Sequence, residues 1–172
     1  IVEYGKEFDF GLEVGSKPEL LIALAHDLSS KSTIICNGIK DREFINLALL
    51  SQKIGFKTIL VLESPRELDL IIEISRELAI LPLLGIRIKL TNKVSGNWSQ
   101  SSGDRSAFGL SVEQVMNVIK KLKANDYLDC LILQHSHLGS QIPDIIEIRR
   151  ATQEACRFFA EITRQGAPLK FL

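Results

Sequence analysis

Short apolar runs rich in β-branched residues alternate along the chain with longer segments whose apolar side chains recur every three or four positions. The short runs predict strands over Phe8–Glu13, Thr33–Cys36, Lys57–Leu62, Leu84–Ile88, Cys130–Ser136 and Leu169–Leu172. Five helices are predicted between them, with stripes such as Leu21, Leu24, Leu28 and Val112, Val115, Met116, Ile119. Each helix has a start signal. Ser16-Lys-Pro-Glu19 and Ser64-Pro-Arg-Glu67 are capping boxes with proline in the first turn, and Ser111-Val-Glu-Gln114 and Asp144-Ile-Ile-Glu147 are variants of the same device. Asp41 is the expected cap of the second helix. Gly55 and Gly166 stand where helices should end in a left-handed residue.

Strand–helix alternation with nearly continuous apolar strands predicts a parallel sheet covered by helices. An open doubly wound sheet usually carries a Gly-rich phosphate loop after its first strand, and this sequence has no such pattern. A complete (β/α)8 barrel needs about 250 residues. With 172 residues, about five βα units and a bare final strand, the chain reads as a partial (β/α)8 TIM barrel, residues 1–172 forming part of one barrel domain. It begins at Ile1 without a methionine, so an internal piece of a longer chain is expected.

Composition narrows the classes. Lys plus Arg and Asp plus Glu both number 21, aromatics are few and no basic run occurs, which argues against nucleic acid and anionic membranes as partners. No apolar run approaches the roughly 20 residues of a membrane helix. Cys36, Cys130 and Cys156 are odd in number and form no CxxC pair, which points to a reducing, cytoplasmic setting rather than to disulfides or zinc.

In such folds function gathers at the carboxyl ends of the strands. Those ends read Glu13-Val-Gly-Ser16, Cys36-Asn-Gly38, Leu62-Glu63-Ser64, Arg87-Ile-Lys89 and His135-Ser-His-Leu-Gly-Ser140. His135 and His137, two apart on a strand, should face the same way. They could ligate a metal, pack as structural histidines, or stack on and exchange protons with a planar ligand. A metal hydrolase would need further ligands, and His26, the third histidine, lies in a helix stripe. Gly139 and Ser140 before a helix suit an oxyanion such as phosphate, although Gly-Ser is also an ordinary turn. Arg87, in an apolar strand, should be paired internally, for instance with Glu13, or face an anionic or heteroaromatic ligand. The polar segment Thr91–Leu110 reads as a lid, a binding loop, a subunit contact or a disordered stretch, and Trp98 and Phe108 argue that part of it packs on something.

Leu12-Glu-Val-Gly-Ser-Lys-Pro-Glu-Leu20, Cys36-Asn-Gly-Ile-Lys-Asp41, Gly85-Ile-Arg87, Ser101-Ser-Gly-Asp-Arg-Ser-Ala-Phe-Gly109 and His135-Ser-His-Leu-Gly-Ser-Gln141 together resemble the biosynthetic arginine decarboxylases. They resemble more loosely the ornithine and diaminopimelate decarboxylases and alanine racemases of the same barrel fold. The resemblance implies a pyridoxal-phosphate (PLP) enzyme converting L-arginine to agmatine for polyamine and spermidine synthesis, homo-oligomeric, with magnesium as a further family expectation. It implies that His137 stacks on the cofactor ring, that Ser140 beside Gly139 binds the phosphate, and that Arg87 and Glu13 lie near the cofactor. Ala107 stands where the family often has lysine. The cofactor-bearing lysine is expected before Ile1 and the glycine-rich phosphate loop beyond Leu172, so the isolated chain should be inactive. A partial barrel also leaves open strand edges and an apolar inner face, so poor solubility or association is expected. Two alternatives stay open beside the metal hydrolase: another decarboxylase or racemase of this fold, and a non-catalytic regulatory homologue.

Overall fold

The computed structural model describes residues 1–90, 108–139 and 142–172. Five parallel strands, β1 Leu12–Val14, β2 Thr33–Cys36, β3 Lys57–Leu62, β4 Leu83–Arg87 and β5 Leu131–His135, form one sheet in the order of the sequence. The helices are α1 Val2–Lys6, α2 Lys17–Leu24, α3 Arg42–Lys53, α4 Pro65–Leu78, α5 Val112–Ala124 and α6 Ile145–Arg164. A sheet ordered like its sequence, each strand followed by a helix, is the arrangement of consecutive βα units in a barrel wall. The chain divides into two compact units, Ile1–Leu84 and Gly85–Leu172.

In the first unit the caps act as the sequence predicts. The Asp41 carboxylate accepts from Phe44 N at 2.8 Å, satisfying a first-turn donor that the helix itself leaves unpaired. Ser16 Oγ accepts from Glu19 N, while the Glu19 carboxylate accepts from Gly15 N at 2.6 Å, one residue before the cap. Every residue of β3 after Lys57 is buried, as a strand covered on both faces must be. Leu20, Phe44, Ile45, Leu49, Leu68, Ile71 and Ile74 close over the strands, each fully or almost fully buried. Each such side chain is worth about 1.5–3 kcal/mol relative to exposure.

The expected strand Phe8–Glu13 is a strand only from Leu12. Phe8 and Phe10 alternate like strand residues, but both of their amides donate to the Gly5 carbonyl at 3.0 Å, which folds the segment back on α1. Asp9 takes a left-handed φ of 56°, and the rings of Tyr4, Phe8 and Phe10 pack in succession. Local aromatic packing thus overrides the period-two pattern.

In the second unit α5 buries Val115, Val118, Ile119 and Leu122. Ser111 and Gln114 complete their capping box, with Ser111 N to Gln114 Oε1 at 2.9 Å and Gln114 N to Ser111 Oγ at 3.3 Å. On α6, Ala151 and Ala155 are one turn apart and pack with Leu90, Leu138, Ile142 and Phe158. Gln134 reaches across to donate to the Ala155 carbonyl at 2.8 Å. The expected final strand Leu169–Leu172 is reduced to a parallel bridge between Phe171 and Leu133. Gln134 N donates to Phe171 O at 3.0 Å and Lys170 N to Ile132 O at 2.7 Å.

Candidate functional site

The polar groups lie at the carboxyl ends of the strands. In the first unit, register pairs Glu13 with Ile35 and Ile35 with Ile59, so these three share one face of the sheet. Asn37 stands two residues beyond Ile35. Its backbone N–H donates to Val14 O at 2.8 Å and its Nδ2 to the Glu13 carboxylate at 2.9 Å. Glu13 itself is exposed. Asn37 is buried, and its Oδ1 has no hydrogen-bond partner.

The adjoining turn is tightly held. Gly38, at φ 72°, donates its N–H to Glu63 Oε1 at 3.0 Å and accepts at its carbonyl from Lys40 Nζ. A Cβ on Gly38 would stand 2.5 Å from the Gly15 carbonyl oxygen, so the loops after β1 and β2 meet main chain to main chain. Lys40, its side chain fully buried, pairs with Glu67 at 3.5 Å. Burial pulls the Lys40 ammonium below its ordinary range, against the opposing charges of Glu67 and Glu63. Burial likewise pushes the Cys36 thiol up to about 12, with Lys40 acting the other way.

In the second unit, β4 ends at Arg87, whose guanidinium lies 5.5 Å from the centre of the Phe108 ring. Phe108 is carried there by Gly109, at φ 86°, followed by a bridge of Leu110 onto Ile88. Leu110 N donates to Arg87 O at 2.8 Å and Lys89 N to Leu110 O at 3.0 Å. A Cβ on Gly109 would meet Arg87 Cγ at 3.2 Å, so glycine is what lets this segment lie flat across the arginine. β5 ends at His135, whose carbonyl accepts from Ile88 N at 2.9 Å. His137 lies two residues past the strand and is exposed, while His135 is half-buried; the strand is one residue shorter at each end than the expected Cys130–Ser136. Gly139 follows at φ 134°, a conformation that only glycine adopts readily.

Glu13, Arg87, His137 and Gly139 therefore all stand at or just past strand ends, as the sequence predicts. Ser140 and the segment 91–107, with Trp98 and Ala107, lie outside the described residues. Among the described residues no group of three or more His, Cys, Asp or Glu is placed to hold a metal ion. No helix among them is long and apolar enough to cross a membrane. Sequence reasoning places Asn37 in the Cys36-Asn-Gly38 strand end without giving it a partner, gives Lys40 no role, and reads Glu67 only as part of a helix cap. The available signal was a lysine just after an Asn-Gly strand end, facing a strand end that carries Glu63.

The model of the pyridoxal-dependent decarboxylases, pyridoxal binding domain, matches residues 1–172. Over 172 residues the chain is 48% identical to the biosynthetic arginine decarboxylase of Prochlorococcus marinus subsp. pastoris, covering 100% of this chain and 26% of that protein. It is 45% identical over 174 residues to a chloroplastic arginine decarboxylase of Nicotiana tabacum, covering 100% of this chain and 24% of that protein. The solved biosynthetic arginine decarboxylase of Campylobacter jejuni superposes with a TM-score of 0.86 at 35% identity, over 98% of this chain and 26% of that one. The chain thus spans about a quarter of the length of these relatives. With a barrel-type run of βα units and a family match along its whole length, this chain belongs to the pyridoxal-dependent decarboxylase family, within its pyridoxal-binding domain.

Proposed function

We propose that the protein carrying this chain is a PLP-dependent arginine decarboxylase, converting L-arginine to agmatine and carbon dioxide, and that residues 1–172 are part of one PLP-binding barrel domain. The observation that carries this reading is the likeness along the whole chain to proteins named arginine decarboxylases. The residues at the strand ends suit such a cofactor: an exposed imidazole at His137, a half-buried main chain at Gly139 that carries no side chain, and a guanidinium at Arg87 backed on one side by an aromatic ring. The orphaned Oδ1 of Asn37 is a further buried acceptor beside Glu13.

In this reading the His137 ring holds the face of the cofactor, and the main chain at Gly139, with Ser140, binds its phosphate. Arg87 supplies positive charge and Glu13 a carboxylate near the cofactor. The cofactor, when bound, supplies the electron sink that stabilises the charge left as carbon dioxide departs. The protein orients it and excludes competing reactions. Phe108 limits the freedom of the Arg87 guanidinium, and Asn37 does the same for Glu13, so neither charge needs to reorganise when substrate binds.

The enzyme is proposed to be cytoplasmic and homo-oligomeric, its agmatine feeding polyamine and spermidine synthesis. Magnesium belongs to this proposal only as a family expectation. The test is carbon dioxide release by the full-length protein with PLP from arginine, ornithine, lysine and diaminopimelate in parallel. A preference for arginine of at least about a hundredfold in kcat/KM is expected, since a pocket that hydrogen-bonds a guanidinium is left unpaired by the others. Equal or greater turnover of another of these amino acids would overturn the arginine assignment.

A further inference from the structure

Lys40 and Glu67 sit beneath the rim, with side chains 0% and 6% exposed, too deep to touch a ligand. Such a pair is a poor source of stability, because apolar residues of the same shape often do as well. Its bonds go instead to the main chain of two strand-end loops. Glu67 Oε1 accepts from Lys40 N at 3.0 Å, and Oε2 accepts from Glu63 N at 2.7 Å and Ser64 N at 3.4 Å. Lys40 Nζ donates to the Gly38 carbonyl, and Glu63 Oε1 accepts from the Gly38 amide. Gly38 is thus gripped at both ends, with no free space toward Gly15. Its neighbour Asn37 is held by its own amide on Val14 and bonds Glu13.

We propose that Lys40 and Glu67 are a buried positioning pair that fixes Gly38 and, through it, the Asn37 carboxamide that aims the Glu13 carboxylate. This rests on the reading above that Glu13 faces the cofactor. Lys40 and Glu67 are then positioning residues for the reaction, acting through Asn37 and Glu13 without contact to substrate. Removing the ammonium frees the Gly38 carbonyl and loosens the turn, and the consequence appears at Glu13.

The experiment is a double-mutant cycle in the full-length protein, with Lys40→Met, Glu13→Gln and the pair, read by PLP affinity of the apo-protein, by kcat and KM, and by thermal midpoint. Lys40→Met is expected to weaken PLP binding and lower kcat by about tenfold each, as loss of a supporting partner commonly does, with KM for the amino acid little changed. In the Glu13→Gln background the same substitution should have almost no further effect on either quantity. Losses that multiply independently would overturn the proposal, and so would a Lys40→Met protein that binds PLP and turns over as the unaltered one does. If Glu13→Gln alone leaves PLP affinity and kcat unchanged, the placement of Glu13 fails first, and the proposal with it. Glu67→Gln, which keeps an acceptor for the loop amides, serves the same cycle if Lys40→Met does not fold. If neither variant accumulates folded protein, the pair is a folding determinant and the proposal is overturned.

Discussion

Replacing Gly38 by alanine tests the close approach of the first two strand-end loops, and Gly55 supplies the control. Both glycines have left-handed φ, 72° and 100°, so alanine at either incurs the backbone penalty of about 1–2 kcal/mol. At Gly55, between α3 and β3, an added Cβ meets nothing within 4 Å. At Gly38 it meets the Gly15 carbonyl oxygen at 2.5 Å, where real Cβ atoms are essentially never found, and the obstacle is main chain that cannot rotate away. Overpacking of this kind adds about 1–3 kcal/mol, so Gly38→Ala should cost roughly 2–5 kcal/mol against about 1–2 for Gly55→Ala. The two substitutions also differ in place. Gly38 lies at the carboxyl ends of the strands and Gly55 at the amino end of β3. Urea unfolding and PLP titration of both variants in the full-length protein make the comparison. Gly38→Ala should be the less stable and should weaken PLP binding at least about tenfold, while Gly55→Ala should leave PLP affinity within about twofold, since each 1.4 kcal/mol is a factor of ten. Equal loss of stability, or equal effects on PLP, would refute the claim that this contact shapes the site.

Three further outcomes are expected. The buried Cys36, its thiol pushed up to about 12, should resist a disulfide reagent at pH 8 until the protein unfolds, while the exposed Cys156 should react at once, as peptide mapping would show. The Phe44 amide first, and then Lys17, holds the Asp41 carboxyl below its usual range. Its stabilising effect should therefore be complete above the unfolded value near pH 4 and be lost as pH falls through the folded one, so thermal midpoints of the unaltered protein and Asp41→Asn should differ at pH 7 and converge in acid. Phe108→Leu removes a cation–π contact of about 0.5–1 kcal/mol from Arg87, and should weaken PLP binding roughly two- to fivefold without lowering the thermal midpoint by more than a few degrees.

Much of the fold is readable from the sequence because its signals are local. β2 and β3 coincide with the predicted strands, and the side chains of Ser16, Asp41, Ser111 and Asp144 all accept from first-turn amides. The failures are equally physical. Phe8 and Phe10 carry a strand-like pattern, yet Gly5 lets them fold back on a helical turn. Leu169–Leu172 has β-like composition but pairs through one bridge at Phe171. Glu13, Arg87, His137 and Gly139 are singled out in the sequence because strand ends collect function in this architecture, and the structure places them at or near those ends. Asn37 and Lys40 stand in motifs the sequence shows, but their bonds to Glu13 and Glu67, 24 and 27 residues away, are not legible because no periodicity encodes them.

The central claim is that the exposed imidazole just past β5 holds the face of PLP. The most direct measurement is titration of the full-length apo-protein with PLP, comparing the unaltered protein with His137→Ala and His137→Phe. If the ring stacks on the cofactor, alanine should raise the dissociation constant by about tenfold or more, as loss of an aromatic contact of 0.5–1.5 kcal/mol plus its buried area requires, and phenylalanine should recover most of that loss. An alanine variant that binds PLP as tightly as the unaltered protein would contradict the account.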